Sequence, residues 1–96
     1  MDRKLRNTLL WLLMGSKGGG TRMRILKLIR NKPGNVHRIA KELNLNYRTV
    51  KYHLELMLEH DLVERIGNDY GAIYVPSREV EENWDEIEKL IGVKGE

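Results

Sequence analysis

A mainly α-helical fold carrying one β-hairpin, ordered helix, helix, helix-turn-helix, hairpin, helix, is what this sequence predicts. Three observations predict it. Residues 35–58 read as two short amphipathic helices joined by a tight corner at Asn44. Residues 62–66 and 72–75 are rich in β-formers and flank Gly67-Asn68-Asp69-Tyr70-Gly71, a loop of hairpin length. The flanking segments 1–14 and 77–91 both carry helical apolar spacing. At 96 residues the chain is one domain, with residues 22–75 as its core and the flanking helices as its ends.

In chain order, Asp2 to Met14 reads as a helix. Leu5, Leu9, Leu12 and Leu13 follow three-and-four spacing, while Leu10, Trp11 and Met14 spread the apolar surface around most of the circumference. A helix apolar all round needs burial on more than one side. Gly15-Ser16-Lys17-Gly18-Gly19-Gly20 ends it and predicts a flexible link. Its glycines and Lys17 suggest a nucleotide phosphate loop, but no strand precedes them and the spacing is wrong for that motif. Thr21 is placed to cap a helix over 22–31, whose core stripe is Ile25, Leu28 and Ile29.

Lys32-Pro33-Gly34 is a turn. Asn35 caps the next helix, through Leu43, with Val36, Ile39, Ala40 and Leu43 inward. Asn44 is expected in the left-handed region, which asparagine tolerates better than most residues. Asn46 caps a second helix over 47–60, with Val50, Leu54, Met57 and Leu58 facing the core. Pro76 ends the second strand. Ser77 then caps a single last helix to Ile91, where Val80, Trp84, Ile87 and Ile91 recur at four, three and four residues. That is a narrow seam of the coiled-coil kind, opposed by Glu81, Glu82, Asp85, Glu86 and Glu88.

Composition narrows the function classes. Charged residues are 32% and hydrophobic residues 41%, as in a globular domain. With no cysteine there is no disulfide framework, thiolate metal site or thiol nucleophile, which fits a reducing cytoplasm. The longest apolar run, Leu9 to Met14, falls far short of the roughly 18 residues that span a bilayer. Arg3, Lys4 and Arg6 ahead of that run resemble a short secretory leader, but the run sits at the bottom of the usual length range. No paired carboxylates at a plausible pocket, Ser-His-Asp set or cofactor motif points to an enzyme. His53 and His60 share a helix face without an evident third ligand, so a packed histidine is the expectation for His53.

Charge is lopsided. Residues 1–60 hold 13 Lys/Arg against 4 Asp/Glu, a net of +9, and residues 61–96 hold 4 against 10, a net of −6; together they make the +3 of the whole chain. A basic block centred on a helix-turn-helix predicts a polyanionic partner.

The pattern Ile39-Ala40-x-Glu42-Leu43-Asn44-Leu45-Asn46-x-x-Thr49-Val50-x-x-His53-Leu54-x-x-x-Leu58, followed by Asp61-Leu62-Val63, resembles the ArsR-like winged helix-turn-helix transcription regulators, and most of all their small archaeal-type relatives. It covers roughly residues 22–75. The resemblance implies double-stranded DNA as partner, a homodimer built from the terminal helices, and a palindromic operator. Two departures stand out. Asn44 replaces a frequent glycine, and the metal-sensing cysteines and the histidine of the last helix are missing, so no metal site or cofactor is expected.

Candidate DNA contacts follow. Tyr47, Arg48, Thr49, Lys51 and Tyr52 lie on the first turns of the second helix, where a groove-docked helix reads bases, with Asn46 choosing between cap and phosphate. His37, Arg38, Arg22 and Arg24 open helices and are candidate phosphate contacts. Arg65, Asn68 and Tyr70 belong to the hairpin and would meet the neighbouring backbone. For the dimer, Leu5, Leu9, Trp11, Leu12, Leu13, Val80, Trp84, Ile87 and Ile91 are the expected interface, on the reasoning that a small domain leaves them unpartnered. The alternatives are plain surface charge for the basic residues, terminal helices packed on each other within one monomer, and a winged helix used as a protein-interaction module. The effector, if any, is not specified by the sequence.

Overall fold

The computed structural model describes residues 1–68 and 71–95, residues 93–95 by backbone alone. Helix α1 spans Arg3–Leu9 and runs without interruption into a π-helical turn, Leu10–Gly15. Then come α2 (Gly19–Asn31), α3 (Val36–Leu43), α4 (Tyr47–Glu59), strands β1 (Val63–Ile66) and β2 (Ile73–Pro76), α5 (Arg78–Glu82) and α6 (Trp84–Gly95). The mainly α fold with one antiparallel hairpin matches the order expected. No described helix is long and apolar enough to cross a membrane.

The N-terminal helix departs from the expected single α-helix. The Asp2 carboxylate accepts from the Leu5 N–H at 2.7 Å and caps it. From Leu10 the winding widens, which brings Leu12 and Leu13 both into the core and leaves Trp11 50% exposed, edge-on to His60 with ring centroids 5.3 Å apart. The start of α2 also differs. It begins at Gly19 rather than after a Thr21 cap, so Thr21 is an interior residue. Two glycines make this start feasible. Gly18 has φ +88°, and a Cβ on Gly19 would lie 2.6 Å from the Leu13 carbonyl oxygen.

One core joins all the helices: Leu9, Leu12, Ile25, Leu26, Ile29, Ile39, Val50, Leu54, Met57, Leu62, Val80 and Ile87 are almost fully buried. In the hairpin, Val63 pairs with Pro76 and Ile66 with Ile73. Tyr74 turns inward, and its N–H donates to the Gly34 carbonyl at 2.9 Å, which ties the hairpin to the turn before α3. Asp69 and Tyr70 lie outside the described residues.

The last helix is two helices. It breaks at Asn83 (φ −110°, ψ 16°), whose side-chain amide donates to the Glu79 carbonyl while its own carbonyl accepts from the Ile87 N–H. The apolar seam survives the break, because Val80, Trp84, Ile87 and Ile91 are all buried within the chain. Arg30 stacks over the Trp84 ring at 4.7 Å. This corrects the reasoning behind the expected dimer surface. Leu5, Leu9, Leu12 and Leu13 are equally buried, so eight of the nine residues proposed as the interface are already covered by their own chain, and only Trp11 remains open. The terminal helices lie together in the monomer, sharing a groove lined by Met1, Arg6, Glu86, Lys89 and Leu90.

Candidate nucleic-acid interface

The corner between α3 and α4 sets the direction of α4. Asn44 takes φ 56° as expected, and Leu45 N–H returns to the Ala40 carbonyl at 2.8 Å, closing the end of α3. Asn46 opens α4 by accepting from the Arg48 N–H at 2.7 Å, so its side-chain oxygen serves as a cap and only its amide N–H2 is left to meet a ligand. Val50, Leu54 and Met57 then point α4 into the core, and Arg48, Thr49, Lys51 and Tyr52 stand exposed on its outward side. Tyr47 is half-buried because its ring packs on His37, with centroids 4.6 Å apart. That contact places the first turns of α3 and α4 side by side.

The supporting arginines divide. Arg38 is exposed and reaches Glu42, 3.4 Å away, while Lys32 approaches the same carboxylate at 3.0 Å. The hydrogen bond from Lys32, with Arg38 beside it, holds the Glu42 carboxyl below the usual range. Arg24 is exposed and donates to the Leu43 carbonyl at 3.1 Å, bracing the corner from α2. In the hairpin, Arg65 and Asn68 are exposed, and Tyr70 is outside the described residues.

Arg22 is the clear correction. It was expected as a surface phosphate contact, but it is 2% exposed and takes part in a polar knot under α4. Its guanidinium donates to the Leu12 carbonyl (2.8 Å), Ser16 Oγ (2.6 Å) and the Lys17 carbonyl (2.9 Å), and lies 3.1 Å from His53 Nδ1. Arginine has no acceptor, so His53 Nδ1 must be the unprotonated nitrogen and Nε2 carries the hydrogen. Burial first, and the Arg22 charge second, push the His53 pKa below its ordinary value. Burial also lowers the Arg22 pKa, though a guanidinium stays charged. The seven-residue interval between His53 and His60 leads to two different partners, Arg22 and Trp11. Among the described residues no three His, Asp or Glu side chains gather as metal ligands.

The knot was not foreseen: Arg48, Thr49 and Tyr52 are expected DNA contacts and His53 an expected packed histidine, but Ser16 and Lys17 were assigned no part beside them. An open cleft of about 530 Å³ lies between the 16–20 loop and α4, lined by Lys17, Gly18, Arg48, Thr49, Tyr52 and His53. The available signal was an arginine two residues after a run of glycines, at a helix position that faces the core.

Residues 20–66 match the model of a helix-turn-helix domain family. None of the curated proteins is similar enough in sequence to count as a relative. Several solved structures share the fold. The homodimeric winged helix-turn-helix DNA-binding domain of a possible ArsR-family transcriptional regulator from Mycobacterium bovis is 20% identical, with a TM-score of 0.69 over 98% of this chain and 88% of that one. HlyU from Vibrio cholerae is 20% identical, with a TM-score of 0.68 over 94% and 97%. An ArsR-like transcriptional regulator from Rhodococcus is 17% identical, with a TM-score of 0.64 over 93% and 84%. The architecture is therefore a winged helix-turn-helix.

Proposed function

We propose that this ArsR-like winged helix-turn-helix protein binds double-stranded DNA as a homodimer at a palindromic operator and regulates transcription there. The observation that carries the reading is the outward side of α4: Arg48, Thr49, Lys51 and Tyr52 are all exposed on a helix whose inner side is fixed in the core. A helix so mounted fits the major groove, with its first turns against the base edges. Arg48 would make a bidentate contact to guanine, and Tyr47, held by His37, would pack on a thymine methyl or bond a phosphate. Lys51, Arg38 and Arg24 would neutralise phosphates, with Arg65, Asn68 and Tyr70 of the hairpin against the adjacent backbone.

The homodimer is supported by the homodimeric Mycobacterium bovis domain of the same fold and by Trp11, the one exposed member of the expected surface. A two-fold pair would set its recognition helices about 34 Å apart, one DNA turn.

Selection of bound duplexes from random DNA, followed by salt titration of the winner, tests the reading. A two-fold symmetric motif is expected. Arg48→Ala should lose about 1–3 kcal/mol of base discrimination, and Lys51→Ala should flatten the logarithmic salt dependence by about 0.9. If the double variant binds the selected duplex as well as the parent does, with the same salt dependence, the DNA reading fails and a protein-interaction role for the winged helix takes its place.

A further inference from the structure

The glycine loop has no part in the function proposed above, yet it forms one wall of the cleft described beside α4. Every side chain lining that cleft is cationic, neutral polar or aromatic; none is acidic. Lys17 and Arg48 are exposed at its rim. Behind Gly18 sits the Arg22 guanidinium, whose partners are all neutral: two carbonyls, a hydroxyl and the His53 imidazole. No carboxylate among the described residues pairs with it. A buried positive charge without a counter-charge is costly, and it leaves the adjacent cleft at positive potential.

His53 adds a specific donor. It is 7% exposed, its Nδ1 is committed to Arg22, and its Nε2–H has no partner among the described residues. That nitrogen is not sealed in the core either, since among the described residues no buried side-chain nitrogen or oxygen lacks a partner. His53 lines the cleft, and its Cε1, the ring atom bonded to Nε2, faces Gly18 there. Gly18 keeps this opening clear, because a Cβ there would lie 2.8 Å from His53 Cε1 and 3.0 Å from the Arg22 guanidinium.

We propose that this cleft binds a phosphate ester, gripped by Lys17, Arg48, Thr49 and the Nε2–H of His53. Two cations and two neutral donors arranged around one cleft suit a tetrahedral phosphate, with its several oxygens about one centre, better than a planar carboxylate with two. The volume exceeds that of a phosphate alone and lies in the range of small-ligand sites, so the ester's organic part lies against the Tyr52 ring. Geometry and ligand both differ from a nucleotide phosphate loop, in which a strand feeds the glycines. The phosphate has two sources: the DNA backbone beside a groove-docked α4, or a free phosphorylated small molecule. Only the first depends on the DNA reading. A free ester would occupy Arg48 and Thr49 and so compete with DNA.

The test is a titration of the full-length, 15N-labelled chain with phenyl phosphate, read at the Gly18, Gly19 and Gly20 amides and at His53 Nε2. Saturable shifts at these positions are expected. Lys17→Glu, an exposed substitution that leaves the core untouched, should weaken them about tenfold or more, equivalent to about 1.4 kcal/mol. Benzoate should bind more weakly than phenyl phosphate, and phenol should leave Nε2 unmoved. Absence of shifts with phenyl phosphate and with duplex alike, or equal binding of benzoate or phenol, would overturn the proposal. A duplex that shifts the same signals and displaces phenyl phosphate assigns the site to the DNA backbone. A protein that binds no duplex but still binds phenyl phosphate would retire the DNA reading while this inference stands.

Discussion

Helix α4 is supported differently on its two flanks. Toward α2, α3 and the hairpin it rests on apolar packing, where Val50, Leu54 and Met57 share one buried core with Ile25, Ile39 and Leu62. Toward the N-terminal loop it rests on hydrogen bonds, with His53 on Arg22 and Arg22 on Leu12, Ser16 and Lys17. Apolar packing is non-directional and tolerates shifts of position. The polar flank fixes the loop in one arrangement, because four acceptors must all meet one planar guanidinium. The comparison teaches that stability and placement come from separate sides of the same helix.

Breaking the apolar flank should cost most. Leu54 is fully buried, and Leu54→Ala is expected to lose about 2–5 kcal/mol in urea unfolding. The polar flank comes next. Arg22→Ala orphans the acceptors gathered around it, and a loss of about 3 kcal/mol is expected. Arg22→Lys should recover little of that loss, because one ammonium cannot replace the fork. Equal stability of Arg22→Lys and the parent would show that the knot contributes charge alone. At the corner, Asn44→Ala should cost about 1 kcal/mol through the left-handed backbone, and Asn44→Gly should be close to neutral.

The subtlest test uses pH. His53 is held neutral in the fold, so the unfolded chain takes up its proton first. Stability from this group is complete above the ordinary histidine pKa of about 6.5. It is lost as pH falls from there toward the lowered folded value. The Glu42 contribution starts to fade only lower, in the carboxylate range, so unfolding midpoints are measured between pH 7 and pH 5 and the His53 share is taken by comparison with a variant. His53→Gln, which keeps an acceptor but does not titrate there, should flatten that interval. An unchanged slope would remove the polar flank from the account.

The apolar flank was legible in the sequence and the polar flank was not. Period and capping residues gave α3, the left-handed Asn44 and α4 nearly to the residue, because Val50, Leu54 and Met57 announce an inner face by spacing alone. Arg22 falls on the same helical stripe as Ile25 and Ile29, but its residue type points to solvent. A charged residue at a helix start is usually solvated, and its burial depends on loop carbonyls that only the folded chain assembles. The cover of the terminal helices was hidden for a related reason. Their apolar spacing was read correctly, but spacing does not say whether a seam is covered by its own chain or by a partner. The break at Asn83 and the widened turn after Leu9 leave that spacing intact, so neither left a mark on the pattern.

The bond between the Tyr74 N–H and the Gly34 carbonyl has a mechanical consequence. It fastens the hairpin root to the pivot from which α3 departs, so the two cannot be tilted independently without rupturing it. A duplex bound as proposed would meet the hairpin and the start of α3 as one joined surface rather than as two pliant arms.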